Sequence, residues 1–222
     1  MKNLIIIPAR KGSKRIKNKN LVKILNKPLI KWTIDYAKSF EKRKFEIVVV
    51  SDCAKIKKIC LSENIFFLER PKSISGDFTS MHEVIFYTYR KMNKKYKYII
   101  LLQPTSPLRS SKLIYKGINI LNKQENFDSL IHLSNENSFT GKIINNVWKP
   151  DYNINTRTQD IKNKFVPTGN LFIYRSSLYI KKLRLPKKTY GLTSYDQKWV
   201  DIDDYEDILL LEYYLKNEYK KR

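Results

Sequence analysis

Leu4-Ile5-Ile6-Ile7 runs directly into Pro8-Ala9-Arg10-Lys11-Gly12-Ser13-Lys14-Arg15-Ile16-Lys17-Asn18-Lys19-Asn20. The apolar run predicts a buried strand, and the next residues predict a small-residue loop loaded with cations. In open α/β sheets, ligands bind beyond the carboxyl ends of strands. Gly12 and Ser13 let the backbone come close to a ligand, so that N–H groups can point at phosphate oxygens. Arg10, Lys14 and Lys19 add charge for a polyanion. The pattern predicts a nucleoside triphosphate site here; the plain alternative is a solvated basic loop. It is neither a Walker A loop nor a dinucleotide fingerprint, because both need further glycines at fixed spacing. Gly12 is the only glycine in the first 75 residues.

The chain has 222 residues, a net charge of +23 and 42% apolar residues. That length is enough for a real core, and one domain spanning 1–222 is expected. Such charge admits nucleic acid, an anionic membrane surface or an acidic small molecule as partner. The Lys and Arg are spread along the chain, however, which reads as a solvated basic surface. Cys53 and Cys60 are too few for a disulfide framework or a zinc site. A reducing cytoplasm fits this cysteine usage. The N-terminal residues lack the succession typical of a signal peptide, and no apolar run approaches the ~20 residues of a membrane span.

Strand and helix signals alternate. Strands are expected at 4–7, 46–51, 65–68, 98–102, 129–133 and 170–174. Helices are expected at 29–39, 55–63, 79–92, 113–122 and 205–215. This alternation predicts an α/β fold with a mostly parallel sheet flanked by helices. The pattern breaks over 134–167, a stretch rich in Asn and Lys. An ordered loop of this length is unusual inside a compact domain, so it reads as a lid or an oligomer-forming excursion.

Further loops follow other strands. Gln103-Pro104-Thr105-Ser106-Pro107-Leu108-Arg109 is stiffened by two prolines, and Gln103 offers both a donor and an acceptor. Asp201-Ile202-Asp203-Asp204 places Asp201 and Asp203 on one face of an extended segment. Paired carboxylates suit Mg²⁺ bridged to substrate phosphates, whereas Asp203 or Asp204 could instead cap the next helix. Arg70-Pro71 and Asp77-Phe78-Thr79-Ser80 give a cation after a short strand and a hydroxyl at a helix start. His82 and His132 have no evident catalytic partners.

Taken together these segments resemble the acylneuraminate cytidylyltransferases, the CMP-sialic acid synthetases. The resemblance rests on Ala9-Arg10-Lys11-Gly12-Ser13-Lys14 with Lys19-Asn20, on the unbroken Leu102-Gln103-Pro104-Thr105-Ser106-Pro107-Leu108-Arg109, on Arg70-Pro71, and on Asp201-Ile202-Asp203. It implies a Rossmann-like nucleotidyltransferase fold. It also implies that CTP and a nonulosonic acid give the CMP-sugar and diphosphate. By the resemblance, Ala9, Arg10, Gly12, Ser13 and Lys14 surround the triphosphate and Lys19 meets the α-phosphate. Asn20, Arg70 and Ser80 belong to the nucleotide pocket. Gln103, Thr105, Ser106, Gly169 and Asn170 lie on the sugar side, and Asp201 and Asp203 hold Mg²⁺. A homodimer is implied, with 134–167 crossing to the partner and Arg157 and Gln159 near the partner's sugar site. The chain departs from the family pattern at Arg15, where glycine is usual. It departs again at Thr168-Gly169-Asn170, where the family carries Asn-Gly. Neuraminate, legionaminate and other nine-carbon acids stay open; CMP-Kdo synthetases differ in the 102–109 signature. An RNA-binding module would suit the charge and the 15 tyrosines, but it leaves the Asp201/Asp203 pair and the fixed 103–109 loop without a role.

Overall fold

The computed structural model describes residues 1–136, 138–153, 155–157, 164–193 and 198–219. Its strands are β1 (Lys2–Pro8), β2 (Lys23–Ile24), β3 (Lys27–Pro28), β4 (Phe45–Ser51), β5 (Phe66–Glu69), β6 (Tyr96–Leu101), β7 (Ser129–Glu136), β8 (Gly141–Ile144), β9 (Val147–Pro150), β10 (Lys164–Arg175) and β11 (Thr189–Thr193). Its α-helices are α1 (Leu29–Lys38), α2 (Ala54–Ser62), α3 (Met81–Met92), α4 (Leu113–Lys123) and α5 (Tyr205–Tyr219).

Among the described residues, one sheet has the order β11-β7-β10-β6-β1-β4-β5. β1 pairs in parallel with β4 and β6, β4 with β5, and β7 with β11. β10 alone runs antiparallel, against both β6 and β7. The expected α/β class and mostly parallel sheet are therefore found.

The aliphatic run at the N-terminus shows why β1 sits at the centre. Ile5 and Ile7 enter one core beneath α1, α2 and α4; Leu4 and Ile6 enter a second core beneath α3. All four are fully buried, each worth roughly 1.5–3 kcal/mol of transfer free energy. A strand buried on both faces must be apolar at every position, so its sequence does not alternate. Cys53 and Cys60 are small apolar members of the first core, Cys60 on α2 and Cys53 capping its start. Burial pushes the Cys60 thiol up to about 11.

From β1 the chain passes through α1 to β4 and α2 to β5 on one side, then returns through α3 to β6 on the other side of β1. The strand order reverses at β1. The loops leaving the carboxyl ends of β1 and β6 therefore diverge and open a crevice.

The 134–167 stretch is more regular than expected. β7 extends to Glu136, β10 begins at Lys164, and β8 and β9 pair as an antiparallel hairpin. The hairpin turns at Asn145 and Asn146, whose φ values of 50° and 64° suit a tight two-residue turn. β11, and the small β2–β3 hairpin that turns at Leu25 and Asn26, were not expected from the sequence.

Candidate active site

The crevice between the β1 and β6 loops is a cavity of about 410 Å³. Arg10, Lys14, Arg15, Lys19 and Arg70 line it together with the carboxylates Asp77 and Asp203. Gln103, Pro104 and Thr105 close the opposite side. Residues about 190 positions apart in the chain thus line one cavity, because the β1 loop, the β6 loop and the segment before α5 converge.

The β1 loop is held by its own polar groups. Ala9 N–H donates to Val50 O at 2.9 Å and Lys11 N–H to the Asp52 carboxylate at 2.6 Å. Asn20 Nδ2 donates to Arg10 O at 3.1 Å, and Ser13 Oγ accepts from Lys19 N–H at 3.0 Å. Asn20 and Ser13 thereby shape the loop. Gly12 lines the cavity, and a β-carbon added there would meet no protein atom within 4 Å. The space beside it is open to a ligand.

The cations are paired with carboxylates. Asp77 accepts from Arg10 Nη1 at 2.6 Å and from Lys14 Nζ at 2.8 Å. These two partners, Lys14 first, hold the exposed Asp77 carboxyl below the usual range. Asp203 accepts from Lys19 Nζ at 3.0 Å and Arg15 Nη2 at 2.9 Å. Desolvation raises its pKa, but Lys19 and Arg15 outweigh it and hold the carboxyl low. Lys19 Nζ also donates to Ile202 O at 2.5 Å. Arg15, where the resemblance led to an expectation of glycine, joins the cavity wall through this pair. Arg70 is buried, donates from Nε to Ile74 O at 2.7 Å, and is pulled down by desolvation.

Asp201 and Asp203 flank the fully buried Ile202, so both fall on the more exposed face, as the alternation predicts. Their environments differ. Asp203 lines the cavity, whereas Asp201 accepts from Ser106 Oγ at 3.0 Å. The helix cap belongs to Asp204, which accepts from Asp207 N–H, while Asp207 accepts from Asp203 and Asp204 N–H. Ser80 is engaged in a capping box with Glu83 at the start of α3, and Thr79 and Met81, not Ser80, line the cavity.

The β6 loop is knitted to the strands around it. Thr105 O accepts from Ile202 N–H at 2.8 Å. Gly169 lies in β10 at φ +72°, with its Cα against Ser106 Oγ and Gln103 Oε1; a β-carbon would overlap both. Asn170 is fully buried, and neither its Oδ1 nor its Nδ2 has a protein partner. His132 is buried in β7, with Nδ1 2.7 Å from Thr168 Oγ1 and Nε2 unpartnered. Burial, with a smaller push from Lys116, brings its pKa down to about 4. His82 Nδ1 lies 2.6 Å from the Tyr179 hydroxyl. Arg157 is described and does not line the cavity; Gln159 lies outside the described residues. The sequence reading named Asp77, Thr79 and Arg109 within its motifs without giving them a site role, and did not name Met81; only folding places Asp77 between Arg10 and Lys14.

A family model described as Cytidylyltransferase matches residues 4–217. The chain belongs to this family. The N-acylneuraminate cytidylyltransferase of Streptococcus agalactiae is 28% identical to this cytidylyltransferase-family chain over 222 residues, 94% of the chain and 52% of the relative. A pseudaminic acid cytidylyltransferase of Campylobacter jejuni is 35% identical over 121 residues, 51% of this chain and 50% of that protein. The chain spans about half the length of the curated relatives it matches. A solved CMP:2-keto-3-deoxy-manno-octonic acid synthetase complexed with CTP has a TM-score of 0.71 at 15% identity, covering 98% of this chain and 100% of that one. At that identity the likeness shows the fold, a nucleotidyltransferase fold. Among the described residues, no helix is long and apolar enough to cross a membrane.

Proposed function

We propose that this chain transfers the cytidylyl group of CTP to a sialic-type nine-carbon sugar acid, releasing diphosphate, in the cytoplasm. The observation that carries the reading is the two-sided cavity at the strand-order reversal. One wall is cationic, with Arg10, Lys14, Arg15, Lys19 and Arg70; the other is neutral, with Gln103, Pro104 and Thr105.

Phosphoryl-type transfer needs in-line positioning and charge neutralisation more than covalent help. Arg10, Lys14, Gly12 and Ser13 hold the triphosphate, and Arg70 and Asn20 support the nucleotide pocket beside Ala9. Lys19 stabilises charge building on the α-phosphate. Thr79 takes the lining position the family resemblance gave to Ser80. The sugar's anomeric hydroxyl attacks the α-phosphorus, the bond to the β-phosphate breaks, and the hydroxyl proton passes to water. Gln103, Thr105 and Ser106, with Gly169 and Asn170 across from them, orient the sugar acid. The buried, unpartnered carboxamide of Asn170 supports a polar ligand on this side.

The donor set suits Mg²⁺. It takes oxygen ligands, usually one or two carboxylates completed by substrate phosphates. Asp203 is an ionised carboxylate on the cavity wall, and Asp201 lies two residues away. Among the described residues no cluster of three or more His, Cys, Asp or Glu could hold a metal, so the phosphates would complete the shell. Mg²⁺ held by Asp203 and Asp201 would neutralise phosphate charge and acidify the attacking hydroxyl.

A homodimer fits the β8–β9 hairpin, where Ile143, Val147 and Trp148 are exposed, more apolar surface than a solvated hairpin needs. Arg157 and Gln159 would then serve the partner's sugar site.

The test is diphosphate release with Mg²⁺, pairing each of four nucleoside triphosphates with neuraminic, legionaminic, pseudaminic and Kdo-type acids. Release with CTP and a nine-carbon acid is expected. Release with another nucleotide, or none with any pair in folded protein, overturns the reading.

A further inference from the structure

We infer that Arg109 is a positioning residue that replaces a missing rung of the sheet and thereby sets the gap in which the sugar acid is held. The inference rests on the reading of Gln103 and Asn170 as sugar-side residues.

β10 and β6 pair antiparallel, with Phe172 opposite Leu101 at the last rung. Continued by two residues, this register would set Asn170 opposite Gln103. The ladder does not continue. The β7–β10 register also shifts between Pro167 and Phe172, so β10 is irregular at the same level. Asn170 N–H turns instead to Thr168 Oγ1 at 3.2 Å. Gln103 O keeps a 3.2 Å bond from Ser106 N–H within the turn, but neither it nor Asn170 O has the cross-strand N–H that a continued ladder would supply.

Arg109 fills that gap. Its Nη2 donates to Gln103 O at 2.6 Å and its Nε to Asn170 O at 2.7 Å. Its Nη1 donates to the buried Thr33 Oγ1 on α1 at 3.0 Å. The guanidinium carbon lies 5.7 Å from the centre of the Tyr36 ring. A planar fork with fixed donor directions can span two carbonyls at a set separation, which a single ammonium cannot reproduce. Pro104 and Pro107 contribute no N–H and Ser106 N–H donates to Gln103 O, so the bridge across to Asn170 O comes from the Arg109 side chain at the end of the loop.

The consequence is local. Gly169 packs against Gln103 Oε1 and Ser106 Oγ, and the Asn170 side chain is buried beside it. A shift of the gap moves both sugar-side residues. The backbone of the β1 loop is fastened separately, through Val50, Asp52, Asn20 and Ser13, and Arg10 and Lys14 pair with Asp77; only Lys19 and Arg15 meet the 202–203 segment that Thr105 O holds. Arg109 therefore acts on the sugar acid far more than on CTP.

The experiment compares Arg109→Lys, Arg109→Gln and Gln103→Ala with the parent chain, reading KM for the sugar acid, CTP affinity by calorimetry, and the unfolding midpoint. Hydrogen bonds to charged groups contribute about 1.5–3 kcal/mol, so the sugar KM should rise roughly 10- to 100-fold in both Arg109 variants. CTP affinity should stay within about twofold, a split that a general loss of structure does not produce. An unchanged sugar KM, or CTP affinity falling in step with it, overturns the inference. If Gln103→Ala leaves the sugar KM unchanged, the sugar-side reading itself fails, which separates the two failures. Should the Arg109 variants not fold, Thr33→Val removes one acceptor while keeping the charge. A rise of about threefold in sugar KM with CTP unchanged is then expected from a weakened neutral acceptor, and no change contradicts the inference.

Discussion

The loops after β1 and β6 leave neighbouring parallel strands and face one cavity, yet they are built on opposite principles. The β1 loop presents cations of graded exposure, from 76% at Lys14 to 13% at Lys19, held by carboxylate pairs, Asp77 on Arg10 and Lys14 and Asp203 on Arg15 and Lys19. Ion pairs of this kind contribute little to stability and yield readily to a competing anion. The β6 loop carries its function on two prolines, a buried serine, a close-packed glycine across from it, and a clamp through Arg109. On the proposed function the first is a docking surface for a polyanion that comes and goes. The second is a preorganised wall, where small displacements cost activity.

The sharpest way to break this comparison is Gly169→Ala. The β-carbon would overlap Ser106 Oγ and Gln103 Oε1, and φ +72° disfavours any L side chain. Sugar-dependent turnover should fall at least about 100-fold, with a loss of roughly 1–3 kcal/mol in unfolding free energy. CTP binding should persist; equal loss of both would show that the two walls are not separate.

Asp203→Asn tests the cationic wall. The carboxylate faces the cavity and the helix cap belongs to Asp204, so folding should be preserved. Turnover should fall about 100-fold or more, the scale of losing an electrostatic stabiliser. Near-normal turnover would remove Asp203 from metal binding.

The buried wall should also show itself in acid. His132 is held neutral, with its pKa brought from 6.5 down to about 4. The unfolded chain therefore binds the extra proton first, and stability is full above about pH 6.5 and declines as pH falls toward 4. Urea titrations should show about 2 kcal/mol lost between pH 7.5 and 5, and His132→Gln should flatten that slope. An unchanged slope would place the acid sensitivity elsewhere.

Asp77→Asn should give the smallest effect. Releasing Arg10 and Lys14 from a competing carboxylate should lower the CTP KM by about threefold, in keeping with a solvent-exposed ion pair. A higher KM would mean that Asp77 assists nucleotide binding.

Much of this was readable because two kinds of signal are local. Runs such as Leu4–Ile7 and Ile47–Val50 betray strands buried on both faces, and Gln103–Arg109 announces a rigid loop after one of them. The rest needed distance. The splay that makes Arg109 necessary depends on β10, some 60 residues away, adopting a shifted register. Asp77 meets Arg10 across 67 positions. The β8–β9 hairpin did carry a local sign, Asn145-Asn146 between Ile and Val, but its Lys-rich flanks masked the strand pattern. Gly169 could be read as a family position; its reason, contact with Ser106 and Gln103, is tertiary.

The most direct measurement follows the oxygen. A nine-carbon sugar acid labelled with ¹⁸O at its anomeric hydroxyl would be turned over with CTP and Mg²⁺, and the products weighed by mass spectrometry. Attack by that hydroxyl on the α-phosphorus predicts the label in the bridging oxygen of the CMP-sugar and none in diphosphate. Label found in diphosphate, or a CMP-sugar whose bridging oxygen carries none while the unreacted acid keeps its label, would contradict the account.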